Sequence, residues 1–256
     1  MRQVVLDQLD GLGLKDMRRE LERQSASPAH KDRSFEDRLS ELLEFERVAR
    51  DDRRLKERLR KAGLRQGARL EELESASARG IDRTTLEFLG RGTWVKERRN
   101  LAVTGACGVG KTFVACALAH RVCDLKFSAR YCRLPRLLHE LEVARADGSY
   151  LSRLASLARI DLLVLDDWGI APMESPAKRD LLELLDDRYQ KRSTLVAAQL
   201  PVELWHDWIA DPPLADAILD RLVHNAYRLE LKGDSQRKAR GILPEDRGGN
   251  LDPLNR

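Results

Sequence analysis

The sequence predicts an α/β fold, a parallel sheet wrapped by helices, preceded by a smaller all-helical region. Three observations predict it. Gly105-Ala106-Cys107-Gly108-Val109-Gly110-Lys111-Thr112 fits the pattern G-x-x-x-x-G-K-[ST] at every fixed position. Leu162-Leu163-Val164-Leu165-Asp166-Asp167 is an aliphatic run closed by two carboxylates. From Asn100 onward strand-like and helix-like periods alternate, as they do in parallel sheets.

In chain order, Val4, Val5, Leu9, Leu12, Leu14, Met17 and Leu21 predict two short helices around the Gly11-Leu12-Gly13 break. Ser34 and Asp37 form a capping pattern, and Phe35, Leu39, Leu42, Leu43 and Val48 lay an apolar stripe along a helix reaching about Leu59. Small helices follow Gly63. The strands expected are 101–104, 129–133, 162–166, 194–198 and 227–231. Pro135 suits a first helical turn, and two amphipathic helices part at Asp147-Gly148. Ser175-Pro176 predicts an N-cap and a helix to about Lys191. Helices at 201–209 and 214–223 are divided by Asp211-Pro212-Pro213. The tail 241–256, rich in Gly, Pro, Asp and Arg, is expected to be disordered.

The glycine-rich motif lies between a strand and a helix, the context its chemistry needs. Glycines 105, 108 and 110 permit a sharp turn and close approach to a ligand. Helix-terminal amides and Lys111 then form a site for phosphates, and Thr112 offers a hydroxyl to Mg²⁺. A buried strand ending in acids presents them at the carboxyl edge of the sheet, beside that loop. Asp166 is the candidate to hold Mg²⁺ through water, and Asp167 to orient or deprotonate the attacking water.

Charged residues make up 34% of the 256-residue chain and aromatics 5%, a helical rather than an all-β composition. The formal net charge is only +4, but residues 47–69 hold a local basic excess, with acids only at 51, 52 and 57. Arg47, Arg50, Arg53, Arg54, Arg58 and Lys61 are candidates to bind DNA phosphates; the plainer alternative is a solvated helix face laced with ion pairs. Cysteines 107, 116, 123 and 132 lack zinc-site spacing. With no apolar run of membrane length and no signal-peptide pattern, the expectation is a cytoplasmic protein without a membrane partner. Trp205 and Trp208, three apart, read as core residues, and His206 and His224 as structural.

Together the phosphate loop, Asp166-Asp167-Trp168-Gly169, Gln199-Leu200-Pro201-Val202 and the stretch from Leu214 to Asn225 resemble the IstB-like family, helper ATPases of insertion-sequence transposition. The similarity extends over nearly the whole chain, and DnaC-type helicase loaders are the nearest relatives of that family. The resemblance implies an AAA+ P-loop NTPase with a five-stranded parallel sheet, a homo-oligomer with ATP sites at its interfaces, and double-stranded DNA and a cognate transposase as partners. It implies that Gln199 senses the γ-phosphate, that Arg221 reaches a neighbouring subunit's site, and that Arg237 contacts phosphate within its own subunit.

The domains expected are 1–75, a helical DNA-binding or assembly domain; 76–99, linker helices; 100–240, the ATPase; and the tail 241–256. Three functions remain open: a DNA-assembled transposition helper, a helicase loader acting on single-stranded DNA, and a nucleotide-dependent scaffold without DNA contact. The basic stretch favours DNA over the scaffold. The Asp-Trp-Gly and Leu214 to Asn225 stretches favour the transposition helper.

Overall fold

The computed structural model describes residues 2–30, 32–74 and 80–233. Its two compact units part between Arg58 and Leu59. Arg237 and the tail lie outside the described residues.

In the first unit, α1 (Arg2–Gly11) and α2 (Lys15–Ala26) flank the expected glycine break. α3 (Phe35–Ala62) begins behind Ser34, whose hydroxyl accepts from the Asp37 amide at 3.1 Å, and continues past the expected end at Leu59. Leu9, Met17 and Leu42 form a small core. α2 has no side-chain cap at Leu14, so its first amides need another acceptor. Glu46 supplies it from α3, accepting from the amides of Asp16 and Met17 at 3.1 and 3.0 Å. Burial pushes the Glu46 carboxyl up, but the Met17 amide and the Arg50 guanidinium outweigh it and hold it below the usual carboxylate range.

The second unit opens with the short helices α4 (Glu71–Glu74), α5 (Arg83–Gly90) and α6 (Thr93–Lys96). The strands β1 (Asn100–Gly105), β2 (Ala129–Arg133), β3 (Leu162–Trp168), β4 (Ser193–Ala198) and β5 (Ala226–Leu231) form one parallel sheet in the order β2-β3-β4-β1-β5. Parallel neighbours demand crossovers, and helices cover both faces. These are α7 (Lys111–Asp124), α8 (Leu134–Asp147), α9 (Tyr150–Ala158), α10 (Ser175–Arg188), α11 (Trp205–Ile209) and α12 (Pro212–Val223). Residues 162–165 are fully buried, as a strand covered on both faces must be.

Three expectations at helix ends are corrected. Ser175 is the first residue of α10 rather than its cap; Glu174 holds the extended cap conformation, and no side-chain cap bond forms. Pro176 makes the cap less necessary, because it has no amide to satisfy. That helix stops at Arg188 instead of reaching Lys191. Residues 202–204 form a 3₁₀ turn ahead of α11, so the helix expected from 201 is shorter.

Arg188 explains the early stop. Its buried guanidinium donates to the carbonyls of Leu157 at 2.7 Å, Ile160 at 2.8 Å and Ser193, and to Thr194 Oγ1 at 3.2 Å. It thereby ties α10 to the end of α9 and the start of β4. Burial pulls its pKa below the usual guanidinium value, yet it stays cationic at neutral pH. Asn100 does comparable work at the start of β1. Its side-chain amide donates to the carbonyls of Arg221 and Leu222 at 2.9 and 3.1 Å and accepts from the Thr194 amide at 2.8 Å.

Arg188→Met retains much of the side-chain volume but orphans the buried carbonyls. At roughly 1–3 kcal/mol per lost partner, the loss should total at least about 3 kcal/mol. The thermal midpoint, measured by circular dichroism, should fall by roughly 10 °C. An unchanged midpoint would show that water satisfies those carbonyls.

Candidate functional site

The phosphate loop joins β1 to α7 at the carboxyl edge of the sheet. Gly105 has φ of 147°, and a Cβ there would come within 2.5 Å of the Leu231 carbonyl oxygen, so the first turn has no room for a side chain. Gly110, with φ of 103°, caps the start of α7 in a conformation that L side chains rarely adopt. Lys111 is buried with its ammonium folded over the loop, donating to the carbonyls of Gly105 at 2.8 Å and Ala106 at 2.7 Å.

Asp166 is the most constrained group of the site. Only 2% exposed, its carboxylate accepts from Thr112 Oγ1 at 2.7 Å and Tyr131 Oη at 2.6 Å on one oxygen, and from the Asp167 amide at 2.8 Å on the other. Burial and the bond to Asp166 push the Tyr131 phenol well above its ordinary pKa, so at neutral pH it keeps its proton and donates. Asp167 takes a left-handed backbone, φ 62°, where the register between β3 and β4 shifts. Its carboxylate, 15% exposed, pairs with Arg133.

A cavity of about 140 Å³ brings these groups together. It is lined by Cys107, Gly108, Gly110, Lys111, Thr112, Asp166, Asp167 and Gln199, with Arg65 and Gln66 on its wall. Gln199 enters it just beyond the end of β4. Val109 is buried beneath the loop, and Cys107 is exposed. All four cysteines are unbridged, and burial raises the thiol pKa of Cys116 and Cys132. The donor set suits a phosphorylated ligand and Mg²⁺. A hydroxyl and a carboxylate meet beside an ammonium, hard oxygen ligands that leave coordination positions for water and phosphate. No cluster of three or more His, Cys, Asp or Glu residues suited to a metal occurs among the described residues.

Arg221 stands apart from this cavity. It lies on α12, 29% exposed, with Nε donating to Asp186 on α10 at 2.9 Å and the guanidinium 5.9 Å from the Tyr189 ring centre. The cations of α3 are similarly engaged. Arg47 pairs with Glu44 and Asp51, Arg50 with Glu46, and Arg53 with Asp16 and Glu46. Arg54 is exposed. Arg58 and Lys61 also have partners, so neither stands alone.

Sequence reasoning missed Arg65, Gln66, Tyr131 and Arg133. Arg65 stood in the basic stretch and was grouped with it, while Tyr131 read simply as a strand residue. Trp205 and Trp208 agree with their expected core role, and Trp168, directly after the acids, joins them. Trp168 and Trp205 are fully buried, and the Trp168 ring centre lies 5.1 Å from each of the other two. No helix of the described residues is long and apolar enough to cross a membrane.

The family described as "IstB-like ATP binding protein" matches residues 7–242. An insertion sequence ATP-binding protein of Sinorhizobium fredii, y4pL, is 45% identical over 233 residues, 91% of this chain and 95% of that protein. Among solved structures, DnaI is similar with a TM-score of 0.56 at 20% identity, over 69% of this chain and 94% of that one. The DnaC helicase loader is similar with a TM-score of 0.50 at 19% identity, over 58% of this chain and 89% of that one. These two likenesses concern the fold. With the family match spanning nearly the whole sequence, the chain belongs to the IstB-like ATP-binding family and has the AAA+ P-loop fold.

Proposed function

We propose that this AAA+ ATPase assembles on double-stranded DNA when ATP is bound, hydrolyses ATP at sites shared between subunits, and passes the DNA to a partner transposase. The observation that carries the reading is the division of the machinery. Lys111, Thr112, Asp166, Asp167 and Gln199 converge on one cavity, whereas Arg221 lies outside it on a partly exposed helix. An arginine supplied by a neighbour adds charge at the γ-phosphate in the transition state and makes hydrolysis depend on assembly. The insertion-sequence relative supports the transposition setting. The helicase-loader reading rests on likeness of fold at a much lower identity, and fold alone does not carry function.

Within this reading, the loop amides and Lys111 bind the phosphates of ATP. Thr112 and Asp166 hold Mg²⁺, the latter through water. When bound, the metal draws charge from the phosphate oxygens. Asp167 orients or deprotonates the attacking water, with Arg133 holding its carboxylate in place. Gln199 donates its amide to the γ-phosphate or to that water. Residues 1–75 provide DNA binding or assembly contacts, 76–99 the connection and 100–240 the ATPase.

Asp167→Asn should leave ATP affinity within about twofold while lowering steady-state turnover by roughly 10²-fold or more, because an amide of similar size cannot accept a proton. Equilibrium nucleotide binding beside a phosphate-release assay checks both halves. Normal turnover would remove Asp167 from the chemistry.

The role in trans is tested by mixing Arg221→Ala with Lys111→Ala. Each variant alone should be inactive, but mixed assemblies should recover part of the DNA-stimulated ATPase, since some interfaces pair an intact loop with an intact arginine. No recovery, with assembly verified by light scattering, would return Arg221 to its own subunit.

For DNA, α3 predicts a contrast between adjacent residues. Arg53→Ala leaves buried Asp16 and Glu46 short of a cation and should lower the thermal midpoint. Arg54→Ala should leave the midpoint unchanged, weaken binding of all duplex sequences alike, and reduce the salt slope by about one. A salt titration by fluorescence anisotropy, alongside thermal melts, distinguishes them. An unaltered salt slope in Arg54→Ala would leave this part of α3 a solvated face.

A further inference from the structure

Arg65 belongs to the segment between α3 and α4, far in sequence from the phosphate loop, yet it lines the cavity with Lys111, Thr112, Asp166 and Gln199. A bond and a turn place it there. The Arg130 guanidinium donates to the Lys61 carbonyl at 2.9 Å, fastening the last turn of α3 to β2. The chain then turns at Gly63, where φ is 59°. From there it runs to the cavity at the start of α7, where Arg65 and Gln66 face Lys111 and Thr112. Arg65 also stands beside Tyr131, whose hydroxyl donates to Asp166 at 2.6 Å. Arg65 therefore stands next to the phenol that holds the carboxylate also receiving Thr112.

The group beside Arg65 is a neutral phenol. A guanidinium binds a phosphate much more strongly, with charge assistance and often through two parallel N–H groups, and it has five donors to use. Thr112 and Asp166 mark the region where the terminal phosphate and its metal would sit. Arg65 is on the wall of that same cavity, so a third phosphate gives it a better acceptor that a diphosphate lacks.

We propose that Arg65 senses the γ-phosphate from within its own subunit, so that ATP, but not ADP, draws in the segment 63–68 that continues from α3. This rests on the reading of the cavity as the ATP site. The separation of nucleotide states thus begins in the chain leading out of the N-terminal helices. It is distinct from the role proposed for Arg221, which acts across subunits.

The test is calorimetric titration of the full chain with Mg²⁺ and either a non-hydrolysable ATP analogue or ADP. Arg65→Ala should weaken the triphosphate by about tenfold or more and change ADP by less than about twofold, the cost of a charge-assisted pair to the missing phosphate. Arg65→Lys should fall between, keeping the charge but losing the fork. Tyr131→Phe should retain the preference for the triphosphate, because that preference comes from Arg65 meeting the third phosphate and not from the phenol beside it. Hydrogen exchange adds a readout independent of affinity: the triphosphate should slow exchange of the Arg65 and Gln66 amides in the parent but not in Arg65→Ala. Equal weakening of both nucleotides, or of neither, would overturn the proposal. Lys111→Ala separates the two levels of inference, since it should weaken both nucleotides; unchanged binding there would overturn the ATP-site reading itself.

Discussion

The buried carboxylate of Asp166 is the constraint on which the site depends. A carboxylate at 2% exposure is tolerated only if its lone pairs are taken up by donors. Here the donors come from three directions: Thr112 on α7, Tyr131 on β2 and the amide of Asp167 on β3 itself. Meeting that requirement fastens the helix of the phosphate loop to two strands of the sheet. It also accounts for the turn of the chain at Asp167. The amide reaches back to Asp166 while the backbone enters the left-handed region, the register with β4 shifts, and Trp168 is delivered to the core. There it meets Trp205 and Trp208, so the loop carrying the acids is braced by α11.

A second anchor relates the strand before the phosphate loop to the helix of Arg221. Asn100 stands at the foot of β1 and satisfies both carbonyls at the end of α12 and an amide of β4. The phosphate loop is at the other end of the same strand. If Arg221 serves a neighbour, its backbone is thus held in fixed relation to its own subunit's site. The side chain rests on Asp186 and Tyr189, a partly exposed ion pair of small energetic weight. Such a partner restrains the guanidinium without preventing it from moving to a more strongly charged acceptor.

The basic stretch shows why local charge is an incomplete guide to binding. Between 47 and 69 the acids are few, but Glu44 and Glu46 lie just before that window and Asp16 comes from another helix. Glu46 caps α2, and Arg50 and Arg53 hold Glu46 and Asp16 in the process. These arginines serve the fold of the first unit whether or not they also meet DNA. Both Arg53 and Arg54 are exposed, but a 100° turn around the same helix separates them, and it is Arg53 that reaches Asp16 and Glu46. Arg65 is drawn in a third direction, to the cavity beside Tyr131.

By itself, the sequence determined the alternation of strands and helices, the five strand positions to within a residue or two at their ends, and the gathering of 105–112 with Asp166. Those features follow from local periodicity and from backbone freedom at glycine, which neighbouring residues express wherever the chain goes. Tertiary structure alone decided which charges were already spent. Glu46 as a cap for α2, Arg188 as the binding post of three carbonyls, Asn100 beneath α12, and Arg65 with Tyr131 at the cavity all join residues distant in sequence or turn a charged side chain inward. Their common cause is that buried donors and acceptors must be paired by whatever the fold brings near. Periodicity distinguishes apolar from polar faces, but it does not identify which distant polar group will meet that demand.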